Sequence, residues 1–121
     1  MLVIPQDLSR AVLNVMNNAC HAVWKKQLSA GENYHPEVSV CVKVEGANLV
    51  IGIADNGIGM NEEVKRRIFE DFFTTKSSSE AAGIGLYLSR EILQSYGGDV
   101  VVKSVKDEYS EFIITLPEKN A

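Results

Sequence analysis

Asp55-Asn56-Gly57-Ile58-Gly59-Met60 follows the apolar run Leu49-Val50-Ile51-Gly52-Ile53-Ala54, so an acidic side chain stands where a buried strand gives way to a glycine-rich loop. Glycines spaced G-x-G let a backbone approach a flat ligand closely, because a residue without Cβ leaves room and tolerates positive φ. The Asp55 carboxylate can then accept a hydrogen bond from that ligand. Taken alone, the same six residues also read as an Asp-Asn-Gly turn linking a strand to a helix.

Upstream, Val38, Val40, Val42 and Val44 alternate with Ser39, Cys41 and Lys43, the period-2 pattern of a strand with one face buried. Glu45-Gly46-Ala47-Asn48 turns this strand into Leu49–Ala54, and the pair forms a hairpin. Further back, Leu8, Ala11, Val12, Val15, Met16, Ala19 and Val23 recur at helical spacing, predicting an amphipathic helix that starts at Gln6-Asp7 and runs to the neighbourhood of Gln27. At about 100° per residue, Asp7, Arg10, Asn14, Asn17, Asn18, His21 and Lys25 share its other face. Asparagine is a poor interior helix residue, so Asn14, Asn17 and Asn18 together carry a propensity cost that a use for their amides would explain.

Downstream of the loop, Asn61 can cap a short helix that has Glu62 and Glu63 in its first turn and Val64, Ile68 and Phe69 on one side, ending near Glu70. Phe72 and Phe73 should pin one end of a small, polar stretch, Thr74 to Ala82, expected to be a mobile lid carrying Thr75 and Lys76. Gly83-Ile84-Gly85 opens a second amphipathic helix through Leu86, Leu88, Ile92, Leu93 and Tyr96, stopped by Gly97-Gly98. A glycine-lined helix start offers free N–H groups and a positive dipole end to phosphate. Asp99 to Val105 and Phe112 to Leu116 read as strands around a turn at Lys106-Asp107-Glu108-Tyr109.

A chain of 121 residues with 45% apolar and 23% charged side chains is an ordinary globular domain spanning 1–121. Its net charge of −4 argues against a nucleic-acid surface, so any phosphate must be held locally. Cys20 and Cys41 have neither metal-knuckle nor disulfide-framework spacing, which fits a reducing cytoplasm. No run approaches the roughly 20 apolar residues of a bilayer span. This segment should make no direct membrane contact, and any anchor would lie elsewhere in a parent protein.

An asparagine-lined helix, a strand-end aspartate with G-x-G, a lid lysine and a glycine-lined helix start together describe a nucleotide site. Asp55 would read the adenine amino group, the helix start would hold phosphates, and the asparagine amides would give hard oxygen ligands to Mg²⁺. The residues that make up this pattern resemble the GHKL ATPase/kinase superfamily, and within it the ATP-binding catalytic domain of bacterial two-component sensor histidine kinases. Leu13-Asn14-Val15-Met16-Asn17-Asn18-Ala19 resembles the family's asparagine box and Asp55 to Met60 its first glycine box. Ile68-Phe69-Glu70-Asp71-Phe72-Phe73-Thr74-Thr75-Lys76 resembles the phenylalanine box, Gly83-Ile84-Gly85-Leu86 the second glycine box, and Phe112 to Pro117 the closing strand. The sequence departs from the family at Asp71, where a proline is usual, and at Ala81 and Tyr109, where glycines are usual.

The resemblance implies an α/β two-layer sandwich of the Bergerat fold, with three helices on one face of a mixed β-sheet and ATP between helices and lid. It implies Asn18 as the main Mg²⁺ ligand with Asn14 as its helper, and His21 beside the phosphates. Asp55 takes the adenine contact, Lys76 reaches the terminal phosphates, and Ser110 stands near an adenine-bound water. Gly57, Gly59 and Met60, with Thr75, Gly83, Ile84, Gly85 and Leu86, complete the implied ATP contacts. Asn14 decides the branch: hydrolysing relatives carry a glutamate there to activate water, and an amide cannot act as a base. Asn14 and Lys76 are therefore the catalytic candidates for transfer of the γ-phosphoryl group to a histidine on a separate dimeric helical hairpin, in a phosphorelay that ends on a response regulator. Neither His21 nor His35 has the acidic neighbour expected beside an acceptor histidine. A nucleotide-binding module without catalysis, and a single-domain serine kinase of the anti-sigma type, are the competing readings.

Overall fold

The computed structural model describes residues 5–70 and 85–117. Their elements are α1 (Gln6–Ser29), β1 (Val38–Glu45), β2 (Asn48–Asp55), α2 (Glu62–Arg67), α3 (Gly85–Ser95), β3 (Asp99–Val105) and β4 (Tyr109–Pro117). The helical spacing of small and branched residues makes α1 bury Ala11, Val15, Ala19, Ala22 and Val23 along one stripe. The helix starts directly after Pro5 with no side-chain cap. Asp7 serves another purpose there: it accepts a hydrogen bond from the Tyr96 hydroxyl at 2.8 Å, tying the start of α1 to the end of α3.

The strands form one four-stranded sheet in the order β1-β2-β4-β3. Helices cover one face of it, giving the expected two-layer α/β sandwich. Every described pairing is antiparallel. The reason lies in β4, which inserts between β2 and β3, so these two strands run the same way without touching. Ile53, Val100, Phe112, Ile114 and Leu116 from the sheet meet Ala11, Val15, Ala19 and Leu93 from the helices in one core. Each fully buried branched or aromatic side chain contributes about 1.5–3 kcal/mol. Phe69, just after α2, adds an edge-on contact to Phe112 at 6.3 Å.

The alternation in β1 is present, but the expected burial of its valine face is not. Val40, Val42 and Val44 are 48%, 59% and 62% exposed. Of their register partners on the same face of β2, Ile53 is buried and Ile51 and Leu49 are partly buried against the core. Alternation fixes which side chains share a face; it does not put a helix over it, and α1 lies over β2.

Asn61 caps α2, its side-chain oxygen accepting the Val64 N–H at 2.8 Å. The helix ends at Arg67, and residues 68–70 form a turn that buries Ile68. The Gly97-Gly98 stop is a Schellman-type end: Gly97 has φ of 85°, Gly98 N–H donates to Leu93 and Gly97 N–H to Gln94. Cys20 and Cys41 are both free thiols on the surface. Among the described residues, no helix is long and apolar enough to cross a membrane. The expected lid, with Thr75 and Lys76, and the residues Asp71, Phe72, Phe73, Ala81, Gly83 and Ile84 lie outside the described residues.

Candidate functional site

The β2 strand delivers Asp55 to the sheet end, where its register partners are Val38 on β1 and Ser110 on β4. Residues directly opposite in an antiparallel ladder point to the same face. Ser104 on β3 lies opposite Ser110 in turn, so Asp55, Ser110 and Ser104 form a polar row on the helix side of an otherwise apolar core.

Asp55 is only 4% exposed. One carboxylate oxygen accepts the Gly57 N–H at 2.8 Å, closing the turn locally, while the other, Oδ2, is buried with no hydrogen-bond partner among the described residues. Burial pushes the carboxyl up to about 6, partly offset by the Gly57 hydrogen bond. The same charge, after burial, raises the Tyr34 hydroxyl. A buried acceptor left open at a strand end costs free energy unless something donates to it.

The glycines let the loop lie flat on its neighbours. Gly57 rests against the Ala22 backbone of α1, and Gly59, with φ of 64°, rests against the Val105 backbone. Asp107 N–H donates to the Ile58 carbonyl at 2.6 Å, and Met60 N–H donates to the Ser104 hydroxyl at 2.8 Å, so the β3–β4 turn grips the loop from the far side. Asn56 holds the near side: its amide accepts from Glu37 N–H and donates to the His35 carbonyl, both at 2.8 Å. The Tyr34 hydroxyl donates to the Asn56 carbonyl at 2.9 Å.

Between α1, the loop, α2 and the β3–β4 turn lies a cleft of about 330 Å³. Of the sequence-derived candidates it collects Asn18, His21, Gly59, Met60 and Ser110 in its lining. Asn14 is half-buried one turn before Asn18 and outside that lining, and Asn17 is exposed on another side of the helix. Leu86 packs on the core instead of opening to the cleft, and Gly85 is the first residue of α3. Asp55 and Gly57 are buried and stand outside that lining; Asp55 is linked to it through Ser110, its partner in the β2–β4 register.

The lining residues that sequence reasoning did not name as site candidates include the polar side chains of Lys25, Asn61, Lys106 and Asp107. Lys25 had a legible signal, two turns after Asn18 on the same helix face. Lys106 had none, because only the turn's grip on Ile58 brings it to the cleft. The lysines and His21 give an anion-compatible wall, while Ile58, Met60, Val64 and Ile68 give an apolar one. That division suits a flat base with a charged tail. For a divalent cation, Asn18 offers a hard amide oxygen, and among the described residues no cluster of three His, Cys, Asp or Glu side chains forms a self-sufficient metal centre. The donor set therefore fits a cation whose other ligands come from phosphate and water.

Comparison with known proteins shows the family and the fold. The family model described as histidine kinase-, DNA gyrase B-, and HSP90-like ATPase matches residues 4–120. The sensor protein TdiS of Thauera aromatica is 34% identical over 111 residues, which is 92% of this chain and 19% of TdiS. The sensor histidine kinase ZraS of Escherichia coli K12 is 31% identical over 93% of this chain and 22% of its own length. The chain thus spans about a fifth of these relatives. Among solved structures, the catalytic domain of histidine kinase ThkA superposes with a TM-score of 0.73 at 25% identity, covering 93% of this chain and 66% of that one. The mycobacterial sensor histidine kinase MprB, at 23% identity and a TM-score of 0.76 over 97% of this chain and 76% of that one, shares the fold.

Proposed function

Because the chain belongs to the family of histidine kinase-, DNA gyrase B-, and HSP90-like ATPases, we propose that it binds Mg-ATP in the cleft and donates the γ-phosphoryl group to a histidine on a separate dimeric hairpin. The observation that carries the nucleotide reading is the buried Oδ2 of Asp55, which has no hydrogen-bond partner among the described residues. An adenine amino group is a donor of the right shape to meet it, lying between the loop glycines and the apolar wall. Lys25, Lys106 and His21 then face the phosphate tail, joined by Lys76 of the lid.

Asn18, helped by Asn14, would hold Mg²⁺, which when bound spreads the phosphate charge. Asn14 supports transfer over hydrolysis, since its amide cannot deprotonate water. In the transfer, a histidine ring nitrogen forms a bond to the γ-phosphorus as the bond to the β–γ bridging oxygen breaks, leaving ADP. The base and the acceptor both come from the partner hairpin, and a response regulator receives the phosphoryl group next. The test is phosphate release from the isolated chain at saturating Mg-ATP, beside label transfer to a histidine-bearing dimeric hairpin supplied in trans. Slow release with transfer to histidine is the expected result. Brisk release without transfer would move the chain to the hydrolase branch, label on a partner serine to the serine-kinase reading, and binding without either to a nucleotide-binding module.

A further inference from the structure

Ser104 is 4% exposed and stands one strand beyond Ser110. Three atoms lie 2.8 Å from its hydroxyl oxygen: the Met60 nitrogen, the Tyr109 carbonyl oxygen and the Ser110 hydroxyl oxygen. The first can only donate and the second can only accept. A serine hydroxyl has a single proton, so the three contacts are satisfied together in one arrangement alone. Ser104 accepts from Met60, donates to Tyr109, and therefore accepts from Ser110. The opposite order, with Ser104 donating to Ser110, gives up the part-buried hydrogen bond to the Tyr109 carbonyl and so makes one bond fewer.

We infer that Ser104 sets the base preference of the cleft by holding Ser110 in its acceptor-only state. With its proton committed to Ser104, the Ser110 hydroxyl shows only lone pairs to a ligand. Ser110 is also the register partner of Asp55, whose buried Oδ2 has no hydrogen-bond partner among the described residues. Two neighbouring acceptors with no donor between them match a 6-amino purine and oppose a 6-oxo purine, which presents an acceptor at the same place. Ser104 acts through Ser110 and is a positioning residue. The inference rests on the nucleotide reading above and adds to it which group rejects the wrong base.

The test compares dissociation constants for ATP and inosine triphosphate on the 121-residue chain, in the wild type and in Ser104→Ala, Ser104→Thr, Ser110→Ala and the double Ser104→Ala/Ser110→Ala variant. The wild type should favour ATP. Ser104→Ala frees the Ser110 proton to meet a 6-oxo group, and the ATP preference should fall about tenfold, the size of one mismatched hydrogen bond. Ser104→Thr keeps the hydroxyl and should keep the preference. In the Ser110→Ala background, adding Ser104→Ala should leave the ratio where it is.

Equal weakening of both nucleotides in Ser104→Ala would mean that the residue only props the loop through Met60, and would overturn the inference. So would a change of ratio that persists without Ser110. Should Ser104→Ala fail to fold, Ser110→Ala alone decides, since an unaltered ratio there is fatal to the idea. A wild type that binds ATP without preferring it over inosine triphosphate sinks only this inference. A wild type that binds neither removes the nucleotide reading and this inference with it.

Discussion

Gly57 lies so close to Ala22 that a Cβ built on it would fall 2.5 Å from the Ala22 carbonyl carbon. The first glycine of the loop is thus a contact surface for α1. A methyl group there must push the loop off the helix that carries Asn18 and His21. Gly57→Ala should destabilise the fold by about 1–3 kcal/mol, the usual cost of overpacking, and weaken nucleotide binding as the cleft widens. Urea midpoints with and without ATP would check both effects.

Asp55→Asn should separate stability from binding. Burial raises this carboxyl from 3.8 to about 6, so the native state holds the proton more tightly than the unfolded chain does. The Asp55 contribution therefore favours folding at low pH, declines as pH rises from about 4 to about 6, and stays unfavourable above that, by on the order of 3 kcal/mol. Relative to wild type, the asparagine variant should be more stable at pH 8 than at pH 5, and it should lose ATP binding at both. Wild-type ATP affinity should itself weaken as pH falls below about 6 and the acceptor gains a proton. Thermal melts and nucleotide titrations at the two pH values give the four numbers needed.

Asn18→Ala should remove the Mg²⁺-dependent part of ATP affinity and leave the Mg²⁺-independent part, because an amide oxygen in the cleft lining serves the cation and not the base. Titrations with magnesium and with chelator read this difference. A variant that keeps its full magnesium dependence would leave Asn18 as a solvated helix residue.

Asn61→Ala should cost about 1 kcal/mol, the typical value of a helix cap. The helix it caps has six residues, too few to persist on propensity alone. Its loss should loosen Ile68 and Phe69 from the core edge, seen as faster amide exchange across 62–69 with little change in the sheet.

The sequence showed most of the scaffold because its signals were local. The α1 stripe, the Asn61 cap and the Gly97-Gly98 stop each depend on residues within a turn or two. The strand end at Asp55 was equally legible, since an apolar run gives way there to G-x-G, although the same residues also fit a plain turn. The exposure of Val40, Val42 and Val44 was not, because it depends on where α1 settles across the sheet. Lys106 was hidden for a similar reason: the turn reaches the cleft through Asp107 and Ile58, residues far apart in the chain. The antiparallel pairing of β4 between β2 and β3 is also a property of the whole assembly.

That placement of β4 governs how the domain can come into being. Tyr109–Pro117 supplies the partner for both β2 and β3, and it carries Phe112, Ile114 and Leu116 of the core. Until β4 leaves the ribosome, β3 lacks its partner among the described strands, and the hairpin of β1 and β2 is marginal alone. Pairings between distant segments close late and slow the search. This domain is therefore expected to stay protease-sensitive during synthesis until β4 is free and then to become resistant in one cooperative step.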